Sequence, residues 1–259
     1  MPYENILLTL DGPVATLAMN RPPMNPLNLA LLKEMQHAVD QVAANADIRV
    51  LVITGGTGKA FVAGADIKAM VAMSQEEIVA FGTAGQGVMR SLENLDKPVI
   101  AQVDGFALGG GTELAISCDL ILASTRSKFG QPEVKLGIIP GFGGTQRLSR
   151  LVGRNMAKEL IYRGNIINAE EALRIGLVNH LVPPEELAAT VKTIVDDIVA
   201  AGPIAVAKAK EAINMGYHKE LDEGNRIEVE AFFGTFATAD RLEGMRAFLE
   251  KRPPRFENK

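Results

Sequence analysis

Apolar and polar positions alternate between strand-like runs and helix-like spacings through the first two thirds of the chain. Two apolar runs, Ile6–Leu10 and Val14–Met19, flank the turn residues Asp11-Gly12-Pro13, which predicts a β-hairpin. From Leu29 to Val42 apolar side chains recur at three- and four-residue spacings, which predicts an amphipathic helix. The β-branched run Val50–Thr54 ends at two glycines and is typical of a buried strand that enters a loop.

The order of strand, loop and helix then recurs along the chain. Ser74 and Glu77 fit a capping box, which predicts a helix that continues from there toward Leu95. The pattern predicts further strands at Pro98–Val103, Leu120–Ala123 and Leu177–Val182, and further helices beginning at Thr112, Thr145 and Ala169. Strands that alternate with helices indicate an α/β fold in which helices pack on a sheet.

The strand pattern ends after Pro183-Pro184. From Glu185 to Glu250 the sequence predicts four helical segments, interrupted at Gly202-Pro203, at Gly216 and around Thr238-Ala239-Asp240. We therefore divide the chain into an α/β core, residues 1–184, and a helical C-terminal region, residues 185–259. Phe232, Phe233 and Phe236 recur at helical spacing, which predicts that they pack in the core or in a subunit interface.

Composition narrows the functional classes. The 259 residues are 47% hydrophobic and 22% charged, as in a folded globular protein. The net charge is −4, the basic residues are scattered and tryptophan is absent, so we expect neither nucleic acid nor an anionic membrane surface as a partner. No apolar stretch approaches the roughly 20 residues of a membrane span. The chain starts with an early acidic residue and no basic segment, so we expect no targeting segment.

The metal-binding residue types are too sparse to form a site. Cys118 is the only cysteine, and His37, His180 and His218 are far apart in the sequence, so we expect no metal. A single cysteine also suits a reducing compartment, and we expect a cytoplasmic location.

Three glycine-bearing stretches, residues 59–68, 104–115 and 129–147, follow predicted strands, where α/β folds bind ligands. Gly109-Gly110-Gly111 leads directly into a helix, whose first N–H groups have no internal partner and can hold an oxyanion. Glu113 lies in the first turn of that helix. By itself this stretch is equally compatible with a glycine turn that only packs the helix on the sheet, with Glu113 as a favourable first-turn charge.

Glu133 is a second candidate, in a loop followed by a glycine-rich run. An isolated loop glutamate is normally solvated, and spacing alone does not bring Glu133 and Glu113 together. Other site types are not supported, because the dinucleotide, phosphate-loop and Gly-x-Ser-x-Gly patterns are all absent.

Several long motifs in a fixed order resemble the crotonase family, also called the enoyl-CoA hydratase/isomerase superfamily. The resemblance covers essentially the whole chain and is strongest to the short-chain hydratases of bacterial type. The motifs are Met19-Asn-Arg-Pro22, Ala63-Gly-Ala-Asp-Ile67, Gly109-Gly-Gly-Thr-Glu113, Gly130-Gln-Pro-Glu133, Pro140-Gly-Phe-Gly-Gly-Thr-Gln-Arg-Leu148 and Glu171-Ala-Leu-Arg-Ile-Gly-Leu-Val178.

The resemblance implies a spiral of repeated ββα units followed by a helical region that forms trimers, and a hexamer made of two trimers. It implies an oxyanion hole formed by the backbone N–H groups of Ala65 and Gly110. It further implies that Glu113 accepts a proton from the attacking water and that Glu133 delivers a proton to the substrate α carbon. Gly141 matches the position whose N–H helps to hold that water. Since two nearby carboxyl groups do not both ionise cheaply, we expect one of them to have a raised pKa.

The resemblance also implies an acyl-CoA thioester as substrate, with coenzyme A (CoA) as part of it and no separate cofactor. The backbone of Ala63, Ala65, Asp66 and Ile67 is expected to contact CoA. Further candidates are Lys59 and Lys68, for the phosphates, and Phe256 and Lys259, for the CoA of a neighbouring subunit. The alternatives are that these lysines are simply solvated and that the chain end is frayed.

The expected reaction is the reversible syn hydration of a short trans-2-enoyl-CoA, such as crotonyl-CoA, to a 3-hydroxyacyl-CoA. Two alternatives stay open: a double-bond isomerase, and a non-catalytic relative that binds CoA esters or RNA. Acyl-chain preference depends on the side chains that close the tail pocket, for which Met70, Met73, Phe81 and Phe142 are candidates. Because the reaction is reversible, the sequence does not distinguish fatty-acid oxidation from butyrate formation.

Overall fold

The structure is a computed structural model that describes residues 3–259. Met1 and Pro2, which belong to the stretch where we expect no targeting segment, lie outside the described residues. The strands are β1 (Ile6–Asp11), β2 (Val14–Met19), β3 (Val50–Thr54), β4 (Ala60–Val62), β5 (Val99–Val103), β6 (Phe106–Leu108), β7 (Leu120–Ser124), β8 (Lys128–Gly130), β9 (Ile166–Asn168) and β10 (His180–Val182).

The helices alternate with these strands and then follow them. They are α1 (Leu29–Ala44), α2 (Ile67–Val71), α3 (Gln75–Asn94), α4 (Gly110–Ala115), α5 (Gly144–Leu151), α6 (Arg154–Arg163), α7 (Ala169–Arg174), α8 (Pro184–Ala200), α9 (Pro203–Gly216), α10 (Leu221–Phe236) and α11 (Ala239–Leu249), with a 3-10 helix at Pro132–Leu136. None of the described helices is both long enough and apolar enough to cross a membrane.

The larger sheet has the strand order β1-β2-β3-β5-β7-β10. Strands β1 and β2 form the predicted antiparallel hairpin, closed by the pair Asp11 and Val14, and the remaining pairs are parallel. Alternate residues of β3 point to opposite faces, as strand geometry requires. Leu51 and Ile53 therefore join the main core, whereas Val50 and Val52 pack in a second cluster with α8.

A smaller sheet has the strand order β4-β6-β8-β9. Its first three strands each follow directly after a strand of the larger sheet. Each of its strands has three residues, and β4, β6 and β8 run parallel. The chain passes from β3 to β4 and α2, from β5 to β6 and α4, and from β7 to β8 and the 3-10 helix. This is the repeated ββα turn that the resemblance implied, and it stacks equivalent loops beside each other.

The last four helices occupy the region predicted to be helical. Helix α8 covers the second face of the larger sheet through Leu187, Val191 and Val195, so it packs on the core. Helices α9 and α10 pack mainly on each other and have no buried residues of their own. Lys210 ties α9 to the sheet by donating to Asp119 Oδ2 at 2.7 Å. The division after residue 184 stays a prediction.

The phenylalanines of α10 do not enter the core of this chain. Phe232 and Phe233 are 57% and 67% exposed. The ring of Phe232 lies edge-on to that of Phe233 and tilted against that of Phe236. Of the two predicted roles, core packing is therefore wrong within this chain, and packing in a subunit interface stays a prediction.

Candidate active site

Glu113 lies in α4, all of whose residues are buried, and only 2% of Glu113 is exposed. The loop before α5 folds over it, and the N–H groups of Phe142 and Gly144 donate to Glu113 Oε1 at 2.8 and 2.7 Å. A Cβ atom on Gly144 would lie 2.9 Å from the same oxygen, so glycine allows this close approach. The carboxyl group is thus fixed by two main-chain donors from a different part of the chain.

Burial raises the pKa of Glu113 to about 7. The hydrogen bond from Gly144 opposes this shift, the negative charge of Glu133 adds to it, and the charge of Arg147 opposes it. A carboxyl group with a pKa near neutrality can both accept and release a proton at physiological pH, which suits it to general acid–base chemistry.

Glu133 lies in the first turn of the 3-10 helix and is half-buried. Burial raises its pKa as well. The side chain of Gln131 is fully buried, and with its amide nitrogen facing Glu133 it donates to both carboxylate oxygens at 2.8 and 3.1 Å. Both glutamates therefore have raised pKa values, where the sequence predicted a raised value for one.

Glu113 and Glu133 line the same cavity, which has a volume of about 570 Å³. They are the only ionisable side chains among its described lining residues, and most of the rest of the wall is apolar or glycine. The rings of Phe81 and Phe142 meet edge to face, with centroids 5.1 Å apart, and both line the cavity. An apolar cavity with two protonatable groups is suited to bind an uncharged acyl group and move protons at its surface.

Ala65 and Gly110, whose backbone N–H groups were predicted to form the oxyanion hole, both line this cavity. Neither donates to a backbone or side-chain acceptor among residues 3–259. Each follows a glycine with positive φ, Gly64 (φ +105°) and Gly109 (φ +53°), and a Cβ on Gly109 would lie 3.0 Å from Glu133 Oε1. The two free donors are thus presented beside Glu133, where they can bind a substrate oxygen.

The family model described as enoyl-CoA hydratase/isomerase matches residues 10–259. The chain belongs to this family. The resemblance stated from the sequence motifs is therefore confirmed.

Relatives match over the full length of the chain. It is 52% identical to the crotonyl-CoA hydratase of Syntrophomonas wolfei over 260 residues, covering 100% of both chains. It is 50% identical to the short-chain-enoyl-CoA hydratase of Clostridium acetobutylicum, covering 97% of each. The crystal structure of the enoyl-CoA hydratase of Bacillus anthracis superposes with a TM-score of 0.96 at 43% identity, covering 98% of this chain and 100% of that one. The crotonase-like α/β fold is confirmed by this similarity.

The other candidate site residues of this enoyl-CoA hydratase/isomerase family member divide into those that line the cavity and those that do not. Ala63, Ala65, Ile67 and Gly141 line the cavity. Asp66 instead caps α2, where it accepts from Ala69 N at 3.3 Å and pairs with Arg21 at 3.1 Å. Lys59 and Lys68 are exposed and do not line the cavity.

The predicted contacts at the chain end do not reach this cavity. Phe256 packs beside Gly202 and Gly244, and its carbonyl accepts from Arg49 Nη2 at 3.1 Å. Lys259 donates to Glu257 at 3.2 Å, and its carbonyl accepts from Asp240 N. In this chain both lie against the C-terminal helices, and contact with a neighbouring subunit's CoA stays a prediction.

Two features of the site were not predicted from the sequence. One is Gln131. The only sequence signal for it is its position two residues before Glu133, within the motif Gly130-Gln-Pro-Glu133. The other is the pair of donors to Glu113, which come from Phe142 and Gly144, about 30 residues away. Among the candidates for the tail pocket, Met70, Phe81 and Phe142 line the cavity, whereas Met73 packs against the main core. No cluster of three metal-ligating side chains occurs within residues 3–259.

Proposed function

We propose that this chain catalyses the reversible addition of water to a short trans-2-enoyl-CoA thioester, with crotonyl-CoA as the expected substrate. The observation that carries the proposal is the pair Glu113 and Glu133, both with raised pKa values, on the wall of an otherwise uncharged cavity. Membership of the family and the names of the bacterial relatives support the same reaction.

In the proposed mechanism, the thioester carbonyl oxygen accepts from the N–H groups of Ala65 and Gly110. Ionised Glu113 takes one proton from a water molecule as the water oxygen bonds to the β carbon and the electrons of the carbon–carbon double bond shift toward the thioester oxygen to give the enolate. Gly141 N–H helps to hold that water. Protonated Glu133 then gives its proton to the α carbon, and the electrons return from the enolate oxygen. The donors stabilise this oxygen most when its charge is greatest; loss of one such donor typically costs about 3 to 4 kcal/mol in the barrier.

CoA enters this reaction as part of the substrate, and we propose no separate cofactor. The chain from Ala63 to Ile67, which lines the cavity at four positions, is the proposed binding segment for its pantetheine and adenine parts. Lys59 and Lys68 flank this segment and are exposed, so they are available for the CoA phosphates.

A short acyl chain is the expected substrate, as the names of the bacterial relatives suggest, and Phe81 and Phe142 on the cavity wall are the proposed residues that close the tail pocket. Both side chains are almost fully buried, and their edge-to-face contact fills the space between α3 and the loop before α5. Comparison of turnover over a series of enoyl-CoA chain lengths tests this, and equal rates from four to ten carbons would contradict it.

We propose that the protein forms a hexamer, a dimer of trimers, through its C-terminal helices. Large exposed apolar side chains are concentrated there, and association would remove them from water. They include Val229, Phe232, Phe233, Met245, Phe248 and Leu249. We also propose a cytoplasmic location, which the single cysteine supports.

The decisive experiment follows the loss of the conjugated thioester absorbance when crotonyl-CoA is added to the purified protein. Glu113→Gln and Glu133→Gln should each lower kcat by about 10²- to 10⁴-fold, because each removes a proton-transfer group while keeping its shape. Full activity in either variant would overturn the assigned role. Turnover of a 3-enoyl ester to its conjugated form, with no hydration, would support the isomerase alternative instead. Binding of CoA esters without any turnover would support a non-catalytic relative.

A further inference from the structure

An ion pair between Arg147 and Glu93 lies behind the loop that holds Glu113. Arg147 Nε and Nη2 donate to the two carboxylate oxygens of Glu93 at 2.9 and 2.7 Å. The third arm of the guanidinium, Nη1, donates to the carbonyl of Phe142 at 3.1 Å. The Arg147 side chain is only 18% exposed and that of Glu93 is 41% exposed, so the guanidinium end of this planar three-point contact is the part sheltered from water.

The loop backbone is shaped around this guanidinium group. Gly143 has φ +106°, which side-chain-bearing residues rarely adopt, and a Cβ there would overlap Arg147 Nη1. The carbonyl of Gly143 in turn accepts from the backbone N–H of Arg147 at 2.9 Å. Arg147 therefore contacts the loop at two successive residues.

Glu113 is bound by the same short segment, through Phe142 and Gly144. Phe142 accepts from Arg147 through its carbonyl and donates to Glu113 through its N–H, and Gly144, just beyond Gly143, gives the second bond. Arg147 does not line the cavity that contains Glu113; it lines a separate cavity of about 740 Å³ on the other side of the loop. Arg147 can therefore affect the reaction only through the position of the loop or through its own positive charge.

We propose that Arg147, oriented by Glu93, is a positioning residue that holds residues 141–144 in the shape that fixes the Glu113 carboxylate. The inference rests on the proposed hydration, in which Glu113 is the base. The loop has no helix or strand structure before Gly144, so these side-chain contacts are what hold the Phe142 carbonyl.

Charge provides a second route to the same group. The pKa of Glu113 is raised by burial and by Glu133, and Arg147 opposes both. Strands β4 and β6, which also pack on α4, contain no ionisable residue, and α4 itself has only Glu113. Arg150, the other charged side chain of α5, donates to Gln146 instead. Removal of Arg147 should therefore raise the pKa of Glu113, and removal of Glu93, which pairs with Arg147 and neutralises its charge, should have the opposite effect.

Four variants separate position from charge, with kcat, KM and the pH dependence of kcat/KM measured for each. Arg147→Gln should lower kcat by about 10- to 100-fold with little change in KM, because the base is misplaced while the substrate cavity is intact. Its acid limb should move to higher pH, since loss of the positive charge raises the pKa of Glu113. Glu93→Gln should move the limb to lower pH, because the charge of Arg147 is no longer neutralised.

The double variant Arg147→Gln/Glu93→Gln removes the ion pair without changing the net charge. The acid limb of its pH profile should therefore stay near that of the wild type, while kcat remains low. Arg147→Lys keeps the charge but not the fork, and should give the same pattern. Arg150→Gln, a change of the same type one turn along α5, is the control and should leave kcat and the limb unchanged. Melting temperatures establish that all variants are folded.

A readout without substrate keeps this test separate from the proposed function. The infrared band of the protonated Glu113 carboxyl group, assigned by its loss in Glu113→Gln, is followed against pH in wild type and Arg147→Gln. The pH midpoint of this band should be higher in Arg147→Gln than in the wild type, even if the protein hydrates no enoyl-CoA. If the wild type shows no turnover, the proposed hydration is overturned and the inference about Arg147 is still tested. Three results would each overturn the inference. The first is an unchanged midpoint in Arg147→Gln, and the second is an acid limb of the pH profile that moves in the same direction in the two single variants. The third is a lower kcat in Arg147→Gln with an acid limb that does not move.

Discussion

At the scale of single residues, the site depends on a carboxyl group placed where its charge is unfavourable. Glu113 is almost completely buried, yet the N–H groups of Phe142 and Gly144 both donate to one of its oxygens. These bonds favour the ionised form but do not fully offset burial, and the pKa is therefore about 7. The residue can change protonation near neutrality, which a solvated glutamate does not do.

This burial predicts a cost in stability that depends on pH. The pKa of Glu113 is about 7 in the folded protein and 4.5 as its ordinary value. Below pH 4.5 the group is protonated in both states and has no effect. As pH rises toward 7 the unfolded state loses its proton first, so the folded state is progressively destabilised, by about 3 kcal/mol in total.

Glu113→Gln should abolish this dependence, because its amide oxygen can accept the same two hydrogen bonds without a charge. The difference in unfolding free energy between variant and wild type should therefore increase in favour of the variant by about 2 to 3 kcal/mol between pH 5 and pH 8. Urea unfolding at the two pH values measures this. A difference that does not change with pH would show that Glu113 ionises normally in the folded state.

At the scale of elements, the site is assembled where the ββα turns stack their loops side by side. Helix α4 supplies Glu113 and Gly110, the 3-10 helix supplies Glu133, and the loop before α5 supplies the donors to Glu113. Helix α3 closes the arrangement because Phe142 packs against it at Gly85, where a Cβ would overlap the phenyl ring. The position of the loop therefore depends on a glycine in a helix that carries no proposed catalytic group.

Two glycines of α3 form a matched pair that tests this dependence. Gly85→Ala should displace Phe142, cost about 1 to 3 kcal/mol of stability and lower kcat, because Phe142 N–H holds Glu113. Gly87→Ala meets no atom within 4 Å and should instead stabilise the protein by about 0.5 to 1 kcal/mol, with normal activity. Melting temperatures and crotonyl-CoA turnover compare them, and similar behaviour of the two variants would contradict the proposed packing.

At the scale of the whole molecule, the chain has one well-buried body and a less buried helical end. Helix α8 completes the layer on the larger sheet, whereas α9 to α11 keep many apolar side chains exposed. Lys210 connects α9 to the core by donating to Asp119 and to the carbonyls of Leu92 and Lys97. An end that is attached to the core but apolar on its outer surface is what the proposed association requires.

Light scattering tests the proposed hexamer, whose mass should be six times the 27.7 kDa of the chain. Phe233→Asp places a charge on α10 at a side chain that is 67% exposed here, and it should shift the protein to smaller species. Leu10→Asp makes the same kind of change at an exposed position of β1 and should leave the mass unchanged. A monomeric wild type, or loss of association only in the control, would contradict the proposal.

The sequence by itself determined the local elements. The predicted strand Val50–Thr54 and the capping box of Ser74 and Glu77 occur as expected, because hydrophobic periodicity and helix capping act over a few residues. The sequence also identified Glu113 and Glu133 as candidates through their motifs. It did not predict β4, β6, β8 and β9, since three-residue strands are too short to show a period and exist only because they pair with one another.

Only the tertiary structure decided that Glu113 and Glu133 line one cavity, that the donors to Glu113 come from Phe142 and Gly144, and that Arg147 supports the same loop. Glu113 is 29 and 31 residues from its two donors, and Arg147 is 54 residues from Glu93, which orients it. The raised pKa of Glu113 has the same origin, because burial results from all the elements that surround the group. Local sequence specifies which residue is present, whereas the packed fold determines its charge state and its partners.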